Sequence, residues 1–216
     1  WSFTISDESG KVVRTIGNKE KRPDRITFKT FFKSLFTPKT GVTIPASVTW
    51  NGVLDDGSIA KDGIYYYQFS AADDNGNTAT TSKLQVVVDN TAPVVNIHQL
   101  SEGDKIFGEG AKAALRITQD GSEEDLWIAP IYDAAGKIVR TFKWEKSEPL
   151  TVTWDGTDDA GATVADGVYT YKISATDRAG NVSEPAQMTN IIYSAEKPAT
   201  NIAITGSRYF SPNGDG

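Results

Sequence analysis

The residues of this 216-residue chain with the most chemistry to offer are the aspartates of "WDGTDDAGATVADG", positions 154–167. Asp155, Asp158 and Asp159 stand close together on a glycine-bearing stretch, the raw material of a calcium cage, which needs about six to eight oxygens. A second candidate lies in "SPNGDG", where Asn213 and Asp215 resemble the opening of an acidic calcium loop whose later carboxylate is not present. The competing use of such carboxylates is to accept backbone N–H groups and turn the chain. Paired acids can also hydrolyse glycosides, but no two here stand at a spacing that supports those roles. The single histidine, His98, sits in the apolar stretch "VVNIHQL", and there is no cysteine. Thiolate sites, disulfides and two-histidine metal sites are therefore excluded, and an ordinary strand position suits His98 better than a catalytic one.

An internal repeat tests the metal reading. "VTWNGVLDDGSIAKDGIYYYQFSAADDNGN" (48–77) lies without a gap over "VTWDGTDDAGATVADGVYTYKISATDRAGN" (152–181), offset 104. Trp50, Gly52, Asp62, Gly63 and Tyr65 match Trp154, Gly156, Asp166, Gly167 and Tyr169, and Asp55 matches Asp159. Asp155 and Asp158, however, become Asn51 and Leu54. Leucine supplies no oxygen to a cation, so the glycine and aspartate signature reads as turns and packing, with calcium the lesser reading. Upstream, "DESGKVVRTI" (7–16) matches "DAAGKIVRTF" (133–142) with offset 126, so the first copy carries 126 − 104 = 22 extra residues between the blocks.

The elements that must position these residues are strands. "YYYQFSA" and "YTYKISA" alternate, placing Tyr65, Tyr67 and Phe69, or Tyr169, Tyr171 and Ile173, on one face. "DDNGN" and "DRAGN" join strands by tight turns in which Asp73 and Asp177 accept backbone N–H bonds. Short strands at even spacing predict an all-β fold of tandem Ig-like β-sandwich modules. Tyr169 falls at a tyrosine-corner position, two residues before Tyr171, which stands where antibody domains keep a cysteine; an apolar ring is expected to replace the disulfide.

With W-D-G, D-G-x-Y and D-x-x-G-N in place, "GKIVRTF…LTVTWDGTDDAGATVADGVYTYKISA" resembles the Ig-like domain of bacterial flagellar hook-capping proteins, a module also repeated in secreted and surface proteins. The likeness covers roughly 1–92 and 126–198. It implies the fold, a setting outside the cytoplasm (secreted, cell surface or periplasmic) and no reaction. The charge balance argues against nucleic acid as a partner: 28 acidic against 22 basic residues give a net charge of −6. No apolar run approaches the ~18 residues of a membrane span.

The repeat places a module lacking its opening strands at 1–92, a complete one at 93–198, and the start of a third module or an exchangeable strand at 199–216. The extra segment of the first copy, within 18–47, carries seven basic residues (Lys19, Lys21, Arg22, Arg25, Lys29, Lys33, Lys39) and two acidic ones (Glu20, Asp24). Phe28, Phe31, Phe32, Leu35 and Phe36 follow a helical stripe and predict a short amphipathic helix over about 25–36. Phe28, Lys29, Phe31, Phe32, Lys33 and Phe36 form a candidate partner-binding face, for a protein or an anionic membrane surface. The favoured role for the phenylalanines is to cap the open end of the first module. The expected function is a non-catalytic structural or adhesive module (spacer, stalk or filament subunit, assembling with copies of itself by strand exchange) without cofactors. The alternatives are a hook-cap-like assembly role and a glycan- or partner-binding domain using Trp127, Trp144 or Tyr132 as stacking platforms, although a core position is the favoured reading for each of these aromatics.

Overall fold

The computed structural model describes residues 1–19, 28, 41–73, 75–147, 149–196 and 201–203. The chain divides into two units, Trp1–Thr91 and Ala92–Gly216.

The second unit is a two-sheet sandwich. Strands β6 (Val95–Ile97), β7 (Ile106–Gly108), β8 (Leu115–Gly121), β9 (Leu126–Tyr132), β10 (Ile138–Glu145), β11 (Thr151–Trp154), β12 (Gly167–Thr176) and β13 (Ala186–Ser194) form it. One sheet runs β10-β9-β12-β13-β7 and the other β11-β8-β6. All pairings are antiparallel except β13 with β7. In β12, Tyr169, Tyr171, Ile173 and Ala175 are buried while the residues between them are not, which is the alternation expected of a half-buried strand. They meet Leu115 and Ile117 from β8, Trp127, Ala129 and Ile131 from β9, and Val152 and Trp154 from β11 in one core.

Trp154 centres that core. Its ring stands 5.2 Å from Phe107 and 5.1 Å, nearly edge-on, from Tyr169. The Tyr169 hydroxyl donates to the Ala165 carbonyl at 2.6 Å and completes the tyrosine corner; Tyr65 does the same to Lys61 at 3.1 Å in the first unit. At the position of the antibody cysteine the expectation of a purely apolar ring needs correcting. Tyr171 is fully buried, and its hydroxyl donates to Gln119 Oε1 at 2.8 Å, while Gln119 Nε2 donates to the Pro149 carbonyl at 2.6 Å. The two sheets are thus joined by a buried hydrogen-bond bridge where the antibody fold uses a disulfide, and the amide of Gln119 is satisfied at both ends. Burial pushes the Tyr171 hydroxyl pKa well up.

The first unit has one described sheet, with β1 (Ser2–Asp7) between β2 (Val12–Gly17) and β3 (Gly63–Ala72), and β4 (Thr78–Thr80) and β5 (Leu84–Val88) both on the far side of β3. Its described core is small: Ile5, Ala60 and Tyr65, with Phe3, Val13, Trp50, Leu54, Tyr67, Val86 and Val88 partly buried around them. Residues 48–50 repeat the V-T-W of β11 but form no strand, and no described strand stands beside them. The helix expected over 25–36 lies outside the described residues, apart from Phe28.

Gly156 has φ 78°, and a methyl group there would lie 2.3 Å from the Tyr193 ring. Gly156→Ala should therefore cost more than the ~1 kcal/mol of a strained but open turn position. Gly161→Ala, at φ 80° with open space around it, serves as the control. Tyr171→Phe leaves the Gln119 oxygen buried without its donor and should cost about 1–3 kcal/mol in urea unfolding of the second unit. Adding Gln119→Leu should cost less than the sum of the two single changes.

Candidate functional site: aspartate turns and the guarded sheet edge

Two carboxylates of the opening motif, Asp155 and Asp158, are engaged within their own turns. Asp155 Oδ1 accepts from Thr157 N at 3.1 Å and Thr157 Oγ1 at 2.6 Å; Asp158 Oδ1 accepts from the amides of Ala160 and Ala162, both at 2.9 Å. The Thr157 hydroxyl holds the Asp155 carboxyl below the usual aspartate range. Among the described residues no three His, Asp or Glu side chains converge as metal ligands would. Asp73 Oδ1 accepts from Asn75 and Asn77, Asp133 Oδ1 from Ala135 and Lys137, and Asp177 Oδ1 from Gly180 and Asn181, so the same Asx geometry recurs at three further turns. Asn213 and Asp215 lie outside the described residues.

Asp159 does something different, which sequence reading did not identify. It reaches across to the outer edge of β10: its amide donates to Val139 O at 3.1 Å, and its Oδ1 accepts the Thr141 amide at 2.9 Å. Arg140 fixes the loop from below by donating to Asp158 O at 2.6 Å. In the first unit Asp55 treats β2 identically, with its amide on Val13 O at 2.9 Å, its Oδ1 receiving Thr15 N at 3.3 Å, and Arg14 donating to Leu54 O at 3.4 Å. An edge strand offers unpaired N–H and C=O groups to any other strand, and this clamp occupies them. The signal was present in the sequence, since V-R-T and the aspartate are shared by both copies. Only the fold shows that they meet.

A third use of carboxylate is to pin the end of the last strand. Asp166 Oδ1 accepts from Ala195 N at 3.0 Å and Oδ2 from Glu196 N at 3.2 Å, with Ser194 Oγ also donating. Asp62 takes Asn90 N at 2.8 Å, the Asn90 side-chain amide at 2.7 Å and the Thr91 hydroxyl. The Ala195 amide in one case, and the Thr91 hydroxyl with Asn90 in the other, hold these carboxyls below the ordinary aspartate pKa.

The expected stacking platforms are otherwise engaged. Trp127 is fully buried, so its ring offers no face to a ligand and takes the core role favoured over a stacking platform. Trp144 stacks on Phe142 at 5.8 Å, and Lys172 sits over Tyr132 at 5.2 Å. Of the proposed partner-binding face only Phe28 is described, and it is 81% exposed; Lys29, Phe31, Phe32, Lys33 and Phe36 lie outside the described residues. His98 lies one residue past the end of β6 and not in the strand expected for it; it is exposed, its amide donates to Thr118 O at 2.9 Å, and its Nε2 lies 2.7 Å from Asp120 Oδ2 on β8.

A sandwich of this strand order, closed by a tryptophan and a tyrosine corner, is an Ig-like module, and the chain carries repeats of it. They resemble the Ig-like module of flagellar hook-capping proteins: residues 103–179 match the family model of the FlgD Ig-like domain. No curated protein matches the chain. Among solved structures it is similar to the fibronectin(III)-like modules of Clostridium thermocellum CbhA, at 12% identity over 94% of this chain and 83% of that one, TM-score 0.43. It is also similar to a tetra-tandem repeat in the extending region of a large adhesion protein, at 19% identity over 87% of this chain and 40% of that one, TM-score 0.33. Dimeric latent PorU from Porphyromonas gingivalis is 18% identical over 65% of this chain, TM-score 0.35, and the chain spans 13% of its length.

Two outcomes follow from the aspartates. Asp159→Ala should leave the core intact yet speed exchange of the Thr141 amide by about five- to tenfold, as loss of one hydrogen bond worth about 1–1.4 kcal/mol requires. Asp62 and Asp166 have folded pKa values below the unfolded one, so their contribution to stability is present above about pH 4. It is lost as pH falls through the folded values. Asp166→Asn should flatten the acid limb of the second unit's stability curve, measured as melting temperature between about pH 2 and 5.

Proposed function

We propose that the chain is a non-catalytic structural and adhesive module of an extracytoplasmic bacterial protein, acting as spacer, stalk or filament subunit. The observation that carries this reading is the recurrence, in both units, of the same clamp: Asp55 on Val13 and Thr15, Asp159 on Val139 and Thr141. A module that must sit beside copies of itself at high local concentration needs its sheet edges occupied, and these aspartates occupy them. Its polar signature is spent on turns, edges and strand ends. The FlgD Ig-like match supports a surface setting, and a hook-cap-like assembly role is its narrower form. No helix among the described residues is long and apolar enough to cross a membrane.

Self-association is proposed to run head to tail, with residues 199–216 of one molecule pairing with the first unit of the next; Ile202 within this stretch is 90% exposed. Sedimentation of the chain lacking 199–216 should show monomer where the parent associates, and an unchanged mass refutes the exchange. Titration with a panel of bacterial and plant polysaccharides should leave tryptophan emission constant. A saturable shift abolished by Trp144→Ala would instead make the chain a glycan-binding domain.

A further inference from the structure

The aspartate clamp takes only part of the edge it guards. Strand β10 is the outer strand of its sheet. Which of its backbone groups point outward follows from the pairing. Thr141 N goes out to Asp159 Oδ1, and Thr141 lies opposite Pro130, which has no N–H to exchange. Antiparallel strands alternate bonded and non-bonded pairs, so the backbone groups of Phe142 and Trp144 face β9 while those of Lys143 and Glu145 face out. The first unit has the same phase: Asn18, the counterpart of Trp144, donates its amide to the carbonyl of Trp1, the counterpart of Trp127, at 3.2 Å. Beyond Glu145 the chain turns back, with φ 54° at Lys146 and its amide on Asp125 O at 3.0 Å. The clamp stops at Thr141, so the open window of this edge is Lys143 to Glu145.

That window is complementary to itself. Lys143 and Glu145 carry opposite charges on either side of Trp144; their side chains are 56% and 67% exposed, with Nζ 2.6 Å from Oε1. Trp144 lies on the other face, half-buried and stacked on Phe142. A twofold axis through Trp144 sets Lys143 opposite the partner's Glu145 and Glu145 opposite the partner's Lys143. Both residues present outward N–H and C=O groups, so each of these pairs is of the bonded kind. A slip of the register by two residues in either direction sets lysine against lysine or glutamate against glutamate, which disfavours it. In the first unit the same positions hold Gly17, Asn18 and Lys19, whose one charge has no complement.

We propose that the second unit binds a second copy of this chain through β10, edge to edge and antiparallel, over Lys143–Glu145. Any extended strand could take the backbone groups, but the order of charges selects a copy of itself. Asp159 then has a second consequence: by holding Thr141 N it ends the ladder on that side and confines pairing to this window. The contact is small, so it is weak between free molecules and becomes effective where modules are held at high local concentration. The inference rests on the reading of a self-assembling structural module for its use. The contact itself needs neither residues 199–216 nor the first unit, and is therefore separate from head-to-tail exchange.

The test compares the full chain with the chain lacking 199–216, in which head-to-tail exchange is removed. Sedimentation up to about 1 mM should show a reversible dimer of the shortened chain, weakened by salt because the paired charges are exposed. Lys143→Glu and Glu145→Lys, both at exposed positions, should each abolish the dimer by setting like charges opposite one another, with the melting temperature of the second unit unchanged. Mixing the two variants should restore it, because the mixed pair again sets opposite charges face to face. In the full chain, exchange of the Lys143 and Glu145 amides should slow by about fivefold or more as the dimer fills. A shortened chain that stays monomeric overturns the inference, even where the full chain associates, and leaves assembly to residues 199–216. A dimer that survives both single variants, or that leaves the two amides exchanging as in the monomer, overturns it as well.

Discussion

The structure depends on one indole. Trp154 is buried among Phe107, Tyr169 and Tyr193, and its Nε1 cannot be left unpaired there without a cost of about 1–3 kcal/mol. It donates to the carbonyl of Thr157, three residues ahead, at 2.9 Å, and Trp50 does the same to Val53 at 2.9 Å. That bond bends the W-D-G segment back under its own tryptophan, which forces Gly156 into positive φ against Tyr193 and delivers the following aspartates to the edge strand. The tyrosine corner then ties the next strand over the same ring. Core, turn and edge are consequences of satisfying one buried donor.

The carboxylates gain their roles from where that turn leaves them. Asp155 and Asp158 stabilise the turn itself, so replacement by Asn51 and Leu54 in the first unit is tolerated; Asn51 Oδ1 still receives Val53 N at 3.3 Å. Asp55 and Asp159 act at a distance, on backbone groups 40 and 18 residues earlier, and no other side chain in the loop reaches them. Substitution at one pair and retention at the other therefore separate local from long-range function. An acidic loop that reads as a cation site is here a device for turning a chain and guarding a sheet edge.

The two units also show what a second sheet contributes. Equivalent side chains are closed off in the second unit, where strands from 94–121 lie over them, and are half-buried or exposed in the first. Residues 48–50 keep the V-T-W of β11 yet form no strand, and no described strand lies beside them; so short a segment takes up β structure only where its backbone groups find a partner. Propensity proposes a strand and pairing decides.

The sequence by itself determined the repeat, the all-β class, the tyrosine corner and the Asx turns at Asp73 and Asp177. Each rests on contacts within a few residues or on strict alternation along a strand. It also signalled that Arg14, Asp55 and their counterparts mattered without saying why. Tertiary structure alone decided that Gln119 bridges Pro149 and Tyr171 and that Asp159 caps β10. Those contacts join residues 18 to 52 positions apart. Alternation assigns a side chain to a face of its strand but not to the strand it will meet, and that meeting is fixed only when the sheets pack.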